Sequence, residues 1–231
     1  MLVQEFMTAN PTTVTPDDTA LVAFRRMRAG RFRHLPVVRD GRRLVGILTD
    51  RDLRQLQPMT VDEETSENWL HRLDLVGVDD IMTPDPVTGW PEMPLEEAAR
   101  ILYQGRFGSL PIVAGDQLVG IITDTDIFRA FVDLTGVLEA SSRLTIALGE
   151  AGDPIAEAIR LIHEAGVSIV SVLTEAGGAP GSRRLVARVA TVDPRPVIAR
   201  LRNAGLTVHW DGEAAANADV AYRRADPPDR T

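Results

Sequence analysis

Eleven residues, Leu44–Arg54 (LVGILTDRDLR), return as Leu118–Phe128 (LVGIITDTDIF) with seven identities and two Leu/Ile exchanges. Further anchors hold the register: Met7-Thr8 matches Met82-Thr83, and Leu35-Pro36-Val37-Val38 matches Leu110-Pro111-Ile112-Val113. One residue is lost between them, where Arg39–Arg43 becomes Ala114–Gln117. Turns are where deletions are tolerated. An internal repeat takes precedence over any local reading, because it fixes the architecture. Each copy is about 55 residues, too few to bury a good core alone, so the copies are expected to pack on each other.

Both copies carry the same order of elements, β-α-β-β-α. A short extended piece (Thr12–Thr15; Val87–Trp90) precedes a helix. In copy one, Thr15-Pro16-Asp17-Asp18 reads as an N-cap with Pro at the first helical position. Ala20, Ala23, Phe24 and Met27 recur at helical spacing, and Gly30 ends the run. Copy two repeats this with Leu95, Ala98, Ile101 and Leu102, ended by Gly105. Two strands follow, joined at Asp40-Gly41 or Gly115-Asp116, and a second helix begins near Asp50 or Asp124. This sets copy one at 1–56 and copy two at 78–135. The acidic connector at 57–77 continues to Asp79 and Asp80. It holds Asp62, Glu63, Glu64, Glu67 and Asp74 against a single Arg72. Carboxylate clusters bind Mg²⁺, but a capped, exposed acidic helix after Thr60 accounts for these residues and no metal is predicted. Trp69, Leu70 and Leu73 are expected to pin that helix down.

The pattern changes at 142–210. Leu144, Ile146 and Leu148 alternate as a strand, and Asp153-Pro154 opens a helix bearing Ile155, Ile159 and Ile162. Two strands follow around the Gly/Pro turn of Ala176–Ser182. Asp193-Pro194 then starts a helix with Val197, Ile198 and Leu201, and Leu206–Trp210 is the last strand. The β-α-β-β-α-β order is the ferredoxin-like plan. The tail, 211–231, is rich in Ala, Asp, Arg and Pro and is expected to be loose.

Each repeat ends a strand on Thr-x-x-Asp: Thr49 with Asp52, and Thr123 with Asp126. As a local device this is a capping box. It also suits a ribose-phosphate: a hydroxyl and free N–H groups meet a phosphate, and a carboxylate accepts ribose hydroxyls. Gly46 and Gly120, just before, are expected to leave room for close approach.

The "MT…P…V" opening, the segment Arg33–Val38 and the Gly-x-x-Thr-x-x-Asp ending resemble the CBS domain, here present twice in register. The resemblance implies a tandem CBS pair, or Bateman module, in a mixed α+β or α/β chain. It also implies adenosine nucleotide binding (AMP, ADP or ATP) at Thr49, Asp52, Thr123 and Asp126. Secondary contacts are expected from Thr13, Val14, Arg33, His34, Pro36, Arg51, Thr88, Ser109 and Pro111, with the adenine end against Thr13-Val14 and Thr88-Gly89. Gly152–Ser168 resembles an ACT domain, a module that often binds amino acids. The glycine usual in that family falls at Asp153, with Gly152 one place earlier. The CBS–CBS–ACT-like order, with FVDLTG at Phe131–Gly136, resembles the acetoin-utilisation proteins, a family regarded as regulatory.

The two sites differ in charge. Copy one offers Arg31, Arg33, His34 and Arg51, where copy two has Arg106, Gly108, Ser109 and Thr125. The first is therefore expected to favour more phosphate.

Composition limits the alternatives. Across 231 residues, 25 Lys+Arg stand against 33 Asp+Glu, for a net charge of −8, which disfavours nucleic acid as a partner. With no cysteine, thiolate metal sites and cysteine nucleophiles are excluded. The four histidines form no metal-binding spacing, and neither a nucleophile elbow nor a P-loop occurs. With no signal-like start or long apolar run, a cytoplasmic protein without a membrane partner is expected. The reading is a non-enzymatic regulatory protein that needs no cofactor and takes an adenosine nucleotide as its regulatory ligand. It is expected to be a homodimer and to act on a metabolic enzyme. The alternatives are a structural or oligomerisation module, or a sensor of NAD or S-adenosylmethionine.

Overall fold

The computed structural model describes residues 1–56, 63–148, 154–178, 182–210 and 212. The chain divides into two compact units, Met1–Ala130 and Phe131–Thr231.

In the first unit, copy one supplies β1 (Thr8–Ala9), α1 (Ala20–Gly30), β2 (His34–Arg39), β3 (Arg43–Thr49) and α2 (Asp50–Gln55). The helices α3 (Glu63–Leu75) and α4 (Val78–Ile81) follow. Copy two repeats the plan as β4 (Thr83–Pro84), α5 (Leu95–Gly105), β5 (Ser109–Ala114), β6 (Gln117–Thr123) and α6 (Asp124–Thr135). The extended pieces before α1 and α5 each make one parallel bridge, Val14 to Val37 and Gly89 to Ile112.

The openings of the two repeats are exchanged. Thr8 and Ala9 of β1 pair with Ile121 and Gly120 of β6, in the other repeat. Thr83 and Pro84 of β4 pair with Ile47 and Gly46 of β3. With β3 joined to β6 at Arg43 and Gln117, all six strands form one sheet. The cores follow the exchange. Val3, Phe6 and Met7 pack with Leu110, Ile112 and Ile122 of copy two. Leu73, Val78 and Met82 pack with Leu35, Val37 and Leu48 of copy one.

Several local readings are corrected. The N-cap of α1 is Thr19, whose hydroxyl accepts the Val22 N–H at 3.4 Å. Thr15 is occupied in a turn of its own, giving its N–H and hydroxyl to Asp18 at 2.8 and 3.2 Å. Gly30 and Gly105 are the last helical residues; the left-handed caps are Arg31 and Arg106, each at φ 54°. Glycine is needed before them because the rings of Phe32 and Phe107 lie where its β-carbon would be. On α3, Leu73 is fully buried and Trp69 meets Phe24 edge-on at 4.9 Å, while Leu70 is exposed. The Thr60 cap and Asp62 lie outside the described residues.

The second unit runs β7 (Ser142–Leu148), α7 (Pro154–Glu164), β8 (Ile169–Ala176), β9 (Arg183–Val189), α8 (Arg195–Asn203) and β10 (Val208–Trp210). Its sheet is antiparallel throughout, in the order β10-β7-β9-β8. Leu144, Ile146, Leu185, Ala187 and Val189 meet Ala158, Leu161 and Ile162 of α7 and Val197, Ile198 and Leu201 of α8. Ile159 is 38% exposed. At 100° per residue, the Ala158–Leu161–Ile162 stripe turns it to the margin. Gly152, Asp153 and the tail apart from Gly212 lie outside the described residues.

Candidate functional site

Thr49 ends β3 with extended backbone and begins α2 as its N-cap. Its N–H and its hydroxyl both reach Asp52 Oδ2 at 2.7 Å. Thr123 does the same to Asp126 at 2.8 and 2.7 Å, and its hydroxyl lies 3.3 Å from the Asp126 N–H, which donates to it. The capping arrangement is therefore formed in both repeats. It uses one oxygen of each carboxylate.

Each of these threonines borders a cavity built from both repeats. The cavity at Thr49 has a volume of about 460 Å³, within the range of small-molecule sites. Copy one contributes Ile47, Thr49, Asp50 and Arg51. Copy two contributes the run Thr83–Val87 (less Pro84), Arg106, Phe107, Gly108, Ser109 and Pro111. The cavity at Thr123 is about 230 Å³ and is lined by Ile121 and Thr123 with Thr8, Asn10, Pro11, Thr12 and Phe32 of copy one. The crossing of β1 and β4 makes both sites composite, since it lays each opening segment beside the other repeat's threonine.

His34 lines both cavities. Its counterpart Ser109 lines the Thr49 cavity alone of the two. Burial, then the Arg33 guanidinium, hold the His34 imidazole below its ordinary range, against the pull of Asp124, Asp50 and Asp52. Ser109 is 6% exposed, and its hydroxyl has no hydrogen-bond partner. An orphaned buried hydroxyl costs about 1–3 kcal/mol unless something supplies a partner.

Of the residues singled out in the sequence, Thr49, Arg51, His34, Ser109 and Pro111 line the first cavity, and Thr123 and His34 the second. Asp52 and Asp126, each hydrogen-bonded to its threonine, line neither cavity. Thr13, Val14, Arg33, Pro36 and Thr88 line neither. Val14 is core, and Thr13 gives its carbonyl to Arg26 at 2.6 Å. Gly46 and Gly120 are filled from the protein rather than left open: Met82 Sδ lies 2.5 Å from where a Gly46 β-carbon would stand, and Met7 meets Gly120 in the same way. Phe32, Phe107 and the runs at 8–12 and 83–87 were missed. The matched phenylalanines beside Gly30 and Gly105 were the available signal. Among the described residues, no group of three or more His, Cys, Asp or Glu is placed to hold a metal, and no helix is long and apolar enough to cross a membrane.

The doubled unit and its paired threonine cavities define a tandem-repeat module. The CBS domain model matches residues 3–59 and 78–133. A CBS domain-containing protein of Dictyostelium discoideum is 34% identical over 133 residues, which are 57% of this chain and 92% of that one. This chain belongs to the CBS-domain family. A Vibrio cholerae protein named for acetoin utilization is 31% identical in sequence, with a TM-score of 0.50 over 60% of this chain and 96% of that one. Inosine-5'-monophosphate dehydrogenase of Staphylococcus aureus is 32% identical over 180 residues. This chain spans 33% of that enzyme's length.

Proposed function

We propose that this chain is a non-catalytic regulatory protein that binds adenosine nucleotides in its two composite cavities. The observation that carries this reading is the Thr49 cavity. One repeat supplies the Thr49 hydroxyl, held by Asp52 outside the lining, and the other an aromatic ring and a buried hydroxyl without a partner. Asp52 keeps one oxygen for a ribose hydroxyl. Arg51 and Arg106, which line the same cavity, are the cations this reading assigns to phosphate. Phe107, Ile47 and Val87 offer an apolar bed for a base, and Ser109 gains a partner when the cavity is filled.

The β-α-β-β-α-β element order of the second unit supports a ferredoxin-like reading. In this reading it is an ACT-like domain through which nucleotide occupancy reaches a metabolic enzyme, in a homodimer. The signal is bounded by the difference in ligand affinity between the two states.

A thermal-shift series with AMP, ADP, ATP, NAD and S-adenosylmethionine tests the reading. A ligand at 100 times its Kd adds about 2.7 kcal/mol, or roughly 5–10 °C for a chain of this size. A response to NAD or S-adenosylmethionine alone replaces the nucleotide class; no response to any of the five favours a structural module. Light scattering that gives the mass of one chain counts against the dimer.

A further inference from the structure

Among the described residues, His34 is the one common to the walls of the two cavities. Its ring lies against Gly108, where a β-carbon would come within 2.7 Å of Nε2. Gly108 also lines the Thr49 cavity, so the imidazole fills the wall between the two spaces. Ser109, at the matched place in copy two, lines the Thr49 cavity but not the Thr123 cavity. The Thr123 cavity, about 230 Å³, is smaller than the roughly 300 Å³ at which ligand sites begin.

We propose that His34 is a movable partition that makes the two cavities compete, so that occupation of one weakens binding in the other. This rests on the nucleotide reading. Filling the Thr123 cavity presses the imidazole into the Thr49 cavity, and filling the Thr49 cavity holds it in the Thr123 cavity. By linkage the penalty is the same in both directions. A coupling of this kind lies typically in the range of about 5- to 150-fold. No change in the packing of the two repeats is needed, because one side chain in contact with both ligands suffices.

The test is calorimetric titration of the full chain with AMP. Asp126→Ala reports the Thr49 site alone, and Asp52→Ala the Thr123 site alone. In the wild-type chain the second AMP is expected to bind about 5-fold or more weakly than the same site binds in its single-site variant. In His34→Ser, which installs the residue found at the matched place in copy two, the isotherm is expected to be the sum of its two single-site isotherms. A wild-type isotherm that is already that sum, or a gap that survives His34→Ser, overturns the proposal and leaves the nucleotide reading standing. Absence of any AMP binding to the wild-type chain overturns both. Should His34→Ser fail to fold, Gly108→Ala carries the test. Its β-carbon displaces the ring away from the Thr49 side, so in the Asp52→Ala background AMP affinity is expected to fall about 5-fold, although Gly108 does not line the Thr123 cavity. Unchanged affinity there overturns the proposal.

Discussion

Thr49 gives both its backbone N–H and its hydroxyl to a single oxygen of Asp52, at 2.7 Å each. One carboxylate thus serves as helix cap and, through its other oxygen, as a candidate ligand contact. The two roles separate on mutation. Asp52→Ala and Asp126→Ala are each expected to cost about 0.5–1.5 kcal/mol of stability as lost capping-box hydrogen bonds. If the free oxygen holds a ribose, AMP affinity also drops about 10- to 150-fold at the mutated site. Denaturant melts and calorimetry read the two effects independently. A stability loss with unchanged AMP binding would reduce the pair to a capping box.

Arg51 and Arg106 line the Thr49 cavity, whereas Arg31 and Arg33 do not, and the Thr123 cavity lining includes no arginine. Of the groups expected at the Thr49 site, Arg51 and His34 line its cavity, and Arg106, expected at the Thr123 site, lines the Thr49 cavity instead. Arg51→Ala is expected to weaken ATP about 2- to 5-fold more than AMP, the scale of an exposed ion pair. The difference should shrink as salt is raised. Equal losses for the two nucleotides would place the phosphate tail elsewhere.

His34 gives the module a pH signature. Burial and Arg33 depress its proton affinity in the fold, while Asp124, Asp50 and Asp52 oppose them. The unfolded chain takes up this proton near pH 6.5, before the folded chain does. Stability therefore falls as pH is lowered from about 6.5 to the folded pKa and levels off below it. His34→Ser should flatten that segment of the stability curve relative to the wild-type chain. Parallel curves would mean that the imidazole is free to leave its wall and charge in water.

Trp69 of α3 packs edge-on to Phe24 of α1, and its buried indole N–H has no partner. Trp69→Ala should cost about 3 kcal/mol, near the low end for large aromatic truncations because the ring is only partly buried. Trp69→Phe removes the orphaned donor along with part of the ring and should come close to neutral. Thermal melts of the two variants decide this. Equal losses in both would show that the indole nitrogen has a partner in solution.

Much of this architecture is written in the chain. Seven identities between Leu44–Arg54 and Leu118–Phe128 mark the duplication. Period-two apolar residues mark β7, and the Val197–Ile198–Leu201 spacing marks α8. The exchange of openings is not legible. Met7-Thr8 and Met82-Thr83 are identical dipeptides, so sequence alone cannot distinguish pairing within a repeat from pairing across repeats. The sequence therefore points to Thr13-Val14 for the adenine end, whereas the backbone there belongs to copy one's own hairpin through Val14 and Val37. The start of α1 was misread for a related reason. Thr15 and Thr19 both have the residue type of an N-cap, and only the Thr15–Asp18 turn shows which is already occupied.

The exchanged openings also bear on how the chain reaches its fold. Thr8 closes against Ile121, so the module's first strand in chain order waits for its last before it has a partner. Contacts so distant in sequence carry a loop-closure cost before they return any burial, which slows folding. A single repeat cut out of this chain would keep its hairpin and helices but leave the Gly46 or Gly120 edge bare, a template for another chain. In the pair, each repeat's opening strand covers the edge that the other repeat exposes.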